Sequence, residues 1–296
     1  MISMLFVMLV WGSSFAVTKL VVNHIPPFAF AFLRFLVASL VLLPVFILHR
    51  KKSAAQPPVS IPWLPVWVMG FSGVTVFYIF FNLSLIYTSA SSGALIQGFI
   101  PVFIALLAAL FLKEKLNGRQ ITGILLSVAG VTLIGFLAEP GPNAPDSLKG
   151  NFYMIIAVFA WAVYTIVSKK VTHIHPIVIT SWSSFAGTLL LIPAVLVENR
   201  HTGFPVISSA DWLAIIYLGA IASAACYFLY NKSLETLTAA QVGNFINLDP
   251  VIGLVIALAF LHEHINASQA AGGVLVLLGI FLSSKPAPAA TQNEPA

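Results

Sequence analysis

Long apolar runs, separated by short polar or charged stretches, follow one another along almost the whole chain. A helix needs about 20 mostly apolar residues to cross the hydrocarbon core of a bilayer. We therefore expect an all-α integral membrane protein. The runs predict ten membrane-spanning helices, at 2–22, 28–49, 63–87, 90–112, 120–138, 150–168, 176–197, 212–231, 239–261 and 268–284.

The composition supports this prediction and narrows the class of protein. Apolar residues make up 59% of the chain, charged residues only 8%, and the mean hydropathy is +0.98. So few charges cannot cover the surface of a water-soluble enzyme of 296 residues. A fold built on disulfides is excluded as well, because Cys226 is the only cysteine.

The basic residues lie mainly on one side of the predicted spans. With the N-terminus in the cytoplasm, ten Lys and Arg fall on the inner side and three on the outer side, while Arg34 lies within the second span. Cytoplasmic loops carry such an excess of basic residues. We therefore predict an inner cell membrane protein with both termini cytoplasmic. The basic residues that give the chain its net charge of +5 therefore fix its orientation in the membrane, and they require no nucleic-acid partner.

The chain resembles itself at a spacing of about 150 residues. Polar, Gly and Pro matches carry the comparison, since apolar matches are common in membrane proteins. The pairs include Trp11 with Trp161, Lys19 with Lys169, Tyr78 with Tyr227, Asn82 with Asn231, Pro101 with Pro250, Glu114 with Glu263 and Gly130 with Gly279. This duplication predicts a first repeat at 1–138, an outer linker at 139–149, a second repeat at 150–285 and a disordered tail at 286–296.

Each predicted repeat holds five spans. Because five is odd, the second repeat must enter the membrane upside down relative to the first. Inverted repeats of this kind are common in secondary transporters. We therefore expect ten helices arranged as two inverted five-helix bundles around a central site.

Short motifs in both halves also resemble a known family. They are Trp11-Gly12-Ser13-Ser14-Phe15, Leu33-Arg34-Phe35-Leu36, Asn82 with Pro101 and Glu114, Asn231, Asn247-Leu248-Asp249-Pro250-Val251, and Glu263 with Gln269 and Gly272. Their order and spacing resemble the EamA-like transporters of the drug/metabolite transporter superfamily, from about Trp11 to Phe281. The resemblance implies ten helices in two repeats and export of small metabolites or drugs. It implies no shared catalytic residues and no single substrate.

Two ionisable residues fall inside predicted spans, where a charge is expensive. Arg34 can contact a charged substrate or reach the outer headgroups as an anchor, because it lies only about six residues into its helix. Asp249 lies near the middle of the ninth span and cannot reach an interface so easily. It is a candidate for substrate contact or for carrying a coupling proton, since burial disfavours its charged form.

Prolines mark matching positions in the fourth and ninth spans. Pro101 and Pro250 each remove a backbone donor and predict a helix break. Paired breaks in the two halves of a transporter point to its binding site, although a plain kink is an equal alternative. Asn244 and Asn247 precede the second break and are candidate substrate ligands. On a straight helix Asp249 would point away from Asn247, so all three share a cavity only if the helix unwinds here.

Polar and aromatic residues follow helical spacing in the first and sixth spans. Trp11 and Ser14 lie on one helical face, as do Trp161 and Tyr164. These matched stripes predict two walls of one cavity, or else small residues that permit close helix packing. Further candidate substrate-binding residues are Tyr78 and Gln97 in the first half and Tyr227 in the second.

The pattern favours a secondary transporter, acting as an exporter by alternating access on amino-acid-like or aromatic compounds. Protons are the candidate coupling ion, at Asp249. The alternatives are a membrane-embedded enzyme acting on lipid-linked substrates and a non-transporting receptor or scaffold. An enzyme would need clustered acid, base or metal-binding groups, and the sequence offers no such cluster. No P-loop, metal-binding spacing or cofactor motif occurs, so we expect no catalytic residue, metal or cofactor.

Overall fold

The helices account for nearly all of the chain that the computed structural model describes. It describes residues 2–52, 60–111, 118–136, 146–203, 205–237, 239–246, 248–260 and 265–283, and these ranges contain no strand. The helices are α1 (Ile2–Val21), α2 (Pro27–Lys52), α3 (Trp63–Tyr87), α4 (Ala90–Phe111), α5 (Gly118–Phe136), α6 (Ser147–Lys170), α7 (Pro176–Thr202), α8 (Ser209–Thr236), α9 (Ala239–Ile246), α10 (Leu248–Phe260) and α11 (Ala267–Ser283). The predicted tail at 286–296 and most of the predicted linker lie outside the described residues.

Seven of these helices are long and apolar enough to cross a membrane: α1 to α4 and α6 to α8. Helices α5, α10 and α11 contain shorter apolar stretches at Ile121–Gly130, Val251–Phe260 and Ala270–Gly279. The prediction of an all-α membrane protein is thus confirmed for the described residues. The number of ten spans is not confirmed, because only seven helices of the described residues are long and apolar enough, and residue 247, within the ninth predicted span, lies outside the description.

Several helices extend beyond the apolar runs that predicted them. Helix α2 continues to Lys52, and α7 continues to Thr202 rather than ending at 197. Hydropathy detects only the apolar part of a helix. Basic residues such as Arg50 and Lys51 continue the helix, because positive charge is favourable at a helix C-terminus.

Three of the long helices are irregular in their interiors. Helix α3 contains a π-helical segment at Gly70–Val76, and α8 contains one at Tyr217–Ala225. Helix α4 is interrupted at Gly98 and Phe99. Pro101 accounts for this break, since it lacks the N–H that would bond the carbonyl of Gln97.

Glycines permit the closest helix contacts. A Cβ atom on Gly130 of α5 would lie 2.6 Å from the carbonyl oxygen of Gly272 in α11, so no other residue fits there without movement. Gly279 approaches the backbone of α5 in the same way, at Gly123 and Ser127. The α5–α11 seam, as we call this contact, therefore depends on the absence of side chains on both helices.

Two lysines, one buried and one half-buried, tie α1 and α6 to the ends of other helices. Lys19 donates hydrogen bonds to the carbonyls of Leu85 and Thr88, at the end of α3, with distances of 2.5 and 2.8 Å. Lys169 donates to the carbonyls of Leu234 and Leu237, at the end of α8, with distances of 2.8 and 2.9 Å. A cation favours the C-terminal carbonyls of a helix, so each lysine caps a helix of its own half of the chain.

Helices α2 and α7 meet at both of their ends. The Glu198 carboxylate accepts hydrogen bonds from the backbone N–H groups of Phe28 and Ala29, at the start of α2, with distances of 3.0 and 2.7 Å. At the other end, His49 of α2 stacks on His175, with ring centroids 4.1 Å apart. The Nδ1 atom of His175 accepts the N–H of Ile177 and so caps α7. A carboxylate and a histidine thus cap the two helices at opposite ends.

Candidate functional site

A partly open cavity lies among the helices, with about 370 Å³ of space free of protein atoms, including the part that is open to solvent. Helices α1, α3, α4, α6 and α9 contribute its walls. The lining residues are mostly aromatic or apolar, with two polar side chains among them: Trp11, Ser14, Phe77, Tyr78, Phe81, Gln97, Ile100, Trp161 and Ile246. An apolar hollow with a few polar groups is the usual form of a small-molecule binding site.

Aromatic rings form one continuous wall of this cavity. The ring of Trp161 lies edge-on to Trp11, with centroids 5.1 Å apart, and stacks on Tyr164 at 4.9 Å. Tyr227 packs against Trp161 from behind at 5.2 Å. Tyr164 and Tyr227 are fully buried and do not line the cavity, so their role here is to fix the rings that do.

A carboxylate lies directly behind the polar part of the wall. Gln97 lines the cavity and donates a hydrogen bond from Nε2 to Oδ2 of Asp249, at 2.8 Å. Asp249 is 0% exposed. Among the described residues, neither Oδ1 of Asp249 nor Oε1 of Gln97 has a hydrogen-bond partner. A buried carboxylate with an unused oxygen can bind a proton or a cationic group.

A buried cation lies behind another part of the same wall. Arg34 is 1% exposed, so it does not reach out to the lipid headgroups as an anchor would. Its Nε donates to Oγ of Ser223 at 2.8 Å, and its guanidinium lies 4.3 Å above the ring centroid of Tyr78, which lines the cavity. Within the described residues, Nη1 has no partner and no carboxylate pairs with Arg34. A buried charge without a counter-ion is destabilising. A bound anion would relieve this cost, so Arg34 is suited to bind one.

The π-helical segments supply backbone groups to the centre of the molecule. The hydroxyl of Tyr227 donates to the carbonyl of Gly73, in the π segment of α3, at 2.6 Å. The indole Nε1 of Trp11 donates to the carbonyl of Ala222, in the π segment of α8, at 2.8 Å. Gly73 and Ala222 are 149 residues apart. Each irregular segment is thus held by an aromatic side chain at or beside the cavity.

The polar groups beside the aromatic wall differ between the two halves. Asn231 of α8 accepts hydrogen bonds from Tyr164 and Ser168 and donates to Thr180, over distances of 2.8 to 3.1 Å. Asn82, at the matching position of α3, makes one hydrogen bond, to the carbonyl of Pro27 at 2.9 Å. Its Oδ1 has no partner among the described residues.

The structure brings most of the sequence candidates together. Trp11, Ser14, Tyr78, Gln97 and Trp161 line the cavity. The remaining candidates with described side chains surround it as a second layer: Arg34, Tyr164, Tyr227 and Asp249. Asn244 lies in α9, but its side chain is outside the described part of the chain, and so is the whole of Asn247.

The two predicted break positions lie close to the cavity, and the structure shows an interruption at the first of them. The interruption of α4 lies between two lining residues, Gln97 and Ile100, immediately before Pro101. Pro250 is the third residue of α10, and Asp249 precedes it; the side chain of Pro250 is outside the described part of the chain. Residue 247, between the cavity-lining Ile246 and α10, lies outside the described residues, so a break at Pro250 stays a prediction.

Sequence reasoning missed four lining residues and one polar contact. Phe77, Phe81, Ile100 and Ile246 are apolar residues in apolar runs, so nothing in their spacing distinguishes a cavity wall from a packing surface. Ser223, the partner of Arg34, lies in a π-helical segment. The 3.6-residue spacing of a regular α-helix does not describe such a segment, so the face it presents could not be read from periodicity.

Comparisons with known proteins identify the family of this chain. The model of the EamA-like transporter family matches residues 1–136 and again 148–285. An uncharacterized transporter of Archaeoglobus fulgidus is 31% identical to this chain over 94% of both proteins. A protein of Salmonella typhimurium named a probable amino-acid metabolite efflux pump is 27% identical, over 94% of this chain and 92% of its own. These names give no support to the enzyme alternative.

A solved structure is also similar to this fold. A crystal structure aligns with 95% of this chain and 94% of its own length, with a TM-score of 0.67 and 20% identity. At this identity the likeness concerns the fold alone. The family match covers nearly the whole chain, and seven helices can cross a bilayer. The chain therefore belongs to the EamA-like transporter family and is a multi-pass membrane transporter of small molecules.

Proposed function

We propose that this protein is a secondary exporter of amino-acid-like or aromatic compounds, working by alternating access to the cavity between α1, α3, α4, α6 and α9. One observation carries the substrate class. Two buried groups of opposite charge, Arg34 and Asp249, each lie one side chain behind the wall of a single aromatic cavity. An aromatic zwitterion offers a partner to both groups and to the rings between them.

The transport cycle that we propose uses the duplicated sequence. Helices α1 to α5 and α6 to α11 form two five-span repeats of inverted topology, with both termini in the cytoplasm and the protein in the inner membrane. The matched contacts of Lys19 and Lys169 support this arrangement, since each caps the third long helix of its own half. Two similar bundles related in this way give inward-open and outward-open states of similar energy.

Within the cavity, we assign the substrate carboxylate to Arg34 and the amino group to Oε1 of Gln97, while Asp249 holds the Nε2 of Gln97 from behind. The rings of Trp11, Tyr78 and Trp161 contact the apolar part of the substrate. Asn244 and Asn247 belong to the same proposed site, next to the breaks at Pro101 and Pro250. Asp249 also carries the coupling proton, because its Oδ1 has no hydrogen-bond partner among the described groups.

A competition experiment in proteoliposomes tests the assignment of Arg34. Three competitors of one ring structure are compared for inhibition of amino-acid flux: an aromatic amino acid, its amide and its decarboxylated amine. We expect the amino acid to compete about tenfold better than the other two, because a hydrogen-bonded charge pair contributes about 1.5 kcal/mol or more. In Arg34→Gln this preference should disappear.

Arg200→Gln is the matched control, since Arg200 is exposed at the end of α7. This variant should keep the parent preference for the carboxylate. Equal competition by all three compounds in the parent protein would contradict the proposed substrate class. Absence of flux for the whole panel would contradict the proposed function in amino-acid export.

A further inference from the structure

The carbonyls of Gly73 and Ala222 occupy matching positions in two π-helical segments, and both are bound by aromatic side chains. Their partners, however, are of different kinds. Gly73 is bound by a hydroxyl, from Tyr227, and Ala222 by an indole, from Trp11. If the two halves had the same conformation, both carbonyls would have the same kind of donor. The two matching carbonyls are therefore bound asymmetrically.

The donors that would complete the opposite arrangement are present in the same cluster. Trp161 matches Trp11, and Tyr78 matches Tyr227. Trp161 lies 5.1 Å from Trp11 and 5.2 Å from Tyr227 between ring centroids. The indole nitrogen of Trp161 is buried and has no hydrogen-bond partner among the described residues. Its counterpart acceptor, Gly73, is occupied by Tyr227.

We infer that these four side chains position α3 and α8 during transport by exchanging donors on the two carbonyls. In the conformation described here, Tyr227 binds Gly73 and Trp11 binds Ala222. In the conformation that faces the other side, Trp161 binds Gly73 and Tyr78 binds Ala222. This inference rests on the proposed inverted repeats, because only that symmetry converts one arrangement into the other.

The exchange has a physical basis in the π-helical segments. Widening a helix to the π form disturbs the regular ladder of backbone bonds, and such segments are frequent at functional sites. A carbonyl left without a partner in the membrane costs free energy. Replacing one donor by another keeps each carbonyl bonded in both end states. The two conformations can then have similar energies although α3 and α8 shift.

A labelling experiment tests the exchange. Ser14→Cys in a Cys226→Ala background places one thiol in the cavity wall, and an impermeant reagent is applied from either side of the membrane. The measured quantity is the ratio of labelling rates from the two sides. Trp11→Phe and Trp161→Phe keep a ring and remove one donor. We expect them to change this ratio in opposite directions, each by about fivefold, the factor for a net hydrogen bond.

The tyrosines provide a second, milder pair of variants. Tyr227→Phe should change the ratio in the same direction as Trp11→Phe, and Tyr78→Phe in the same direction as Trp161→Phe. If a tryptophan variant does not fold, the tyrosine pair alone decides. Combining Trp11→Phe with Trp161→Phe should return the ratio towards its parent value. Tyr227→Phe and Tyr78→Phe keep their rings and remove only a hydroxyl, so loss of packing alone would not move the ratio in these two variants.

The outcomes separate this inference from the proposed function. Shifts of one sign in all four variants, or no shift in any of them, would overturn the exchange. Substrate flux measured in the same vesicles reports on transport independently. A parent protein that transports amino acids but shows no opposite shifts retains the proposed function and loses the exchange. Opposite shifts without amino-acid flux would retain the exchange and remove the proposed substrate.

Discussion

The two halves of this chain carry different side chains at matching positions, and the difference locates the cavity. Position 164 holds a tyrosine, which is buried and hydrogen-bonded to Asn231. The matching position in the first half holds Ser14, which lines the cavity. A large side chain thus fills one half where a small one leaves space in the other. The helices shared by both halves form the walls of the cavity, and the positions at which the two halves differ determine where the cavity is open to a ligand.

The buried charges behind the cavity wall also occur where the two halves differ. Asp249 lies 149 residues after Ile100, and both are at the cavity or behind its wall. Arg34 lies 150 residues before Ser184, a buried serine. At these two pairs of positions, each half therefore contributes a buried charge that the other half lacks. A symmetric pair of sites would place like charges opposite each other, whereas this arrangement places opposite charges around one cavity.

Filling the cavity should have the largest effect on function. Ser14→Tyr gives the first half the side chain that the second half carries. We expect transport to fall by about tenfold or more, because a ring in the cavity displaces the ligand or forces its neighbours apart. Ser14→Ala keeps the space and should retain most of the flux. Equal flux in both variants would show that substrate does not pass Ser14.

Substituting the two matched asparagines should destabilise the protein by different amounts. Asn231→Leu leaves Tyr164, Ser168 and Thr180 without their partner, and we expect a loss of about 3 kcal/mol, since each buried unsatisfied group costs about 1–3 kcal/mol. Asn82→Leu removes one hydrogen bond, so a loss of about 1 kcal/mol is expected. Thermal unfolding in detergent gives the order. The comparison fails if Asn82→Leu is the more damaging substitution.

Neutralising Asp249 should separate the effect of a proton gradient from substrate exchange. Asp249→Asn mimics the protonated carboxyl and keeps an acceptor for Gln97. We expect acceleration of flux by a pH gradient to disappear, while exchange at equal pH stays within about twofold of the parent, which is less than 1 kcal/mol. Ile100→Asn, at the matching position, should leave the response to the gradient in place. Full acceleration in Asp249→Asn would remove this residue from proton coupling.

The smallest expected effect is a pH dependence of stability at His175, at the end where α2 stacks on the start of α7. Partial burial, and then the stacked His49, lower the pKa of His175 below its usual value. The folded protein therefore binds fewer protons than the unfolded chain just below pH 6.5, so stability should decrease as the pH falls from about 6.5 to the lowered pKa. His175→Asn keeps a capping group without titrating. It should flatten this part of a plot of unfolding temperature against pH, and an unchanged slope would assign the effect to another group.

Sequence periodicity could predict much of this architecture because the bilayer imposes a simple rule on apolar length. The long spans, the matched pairs and five of the lining residues followed from that rule and from helical spacing. The π-helical segments did not, since Gly70–Val76 and Tyr217–Ala225 are made of residues that also suit a regular helix. They depend on tertiary contacts such as the hydrogen bond from Tyr227 to Gly73.

Burial of the charged groups also depended on tertiary structure. Sequence alone placed Arg34 about two turns into a helix, from where it could reach the headgroups or the interior. The contact with Ser223, 189 residues away, decides between these two possibilities. Likewise, Gln97 and Asp249 are 152 residues apart, and no local pattern relates them. Contacts of this range become predictable only once the packing of the two halves is known.

The α5–α11 seam has a practical consequence for spectroscopy. Because a Cβ on Gly130 would lie 2.6 Å from the backbone of α11, the two backbones are in close contact, and we expect these two helices to move as one unit. A pair of spin labels on the outward-facing surfaces of α5 and α11 would then give a nearly constant distance throughout the cycle. That distance can serve as an internal ruler, against which changes between labels on other helices are calibrated.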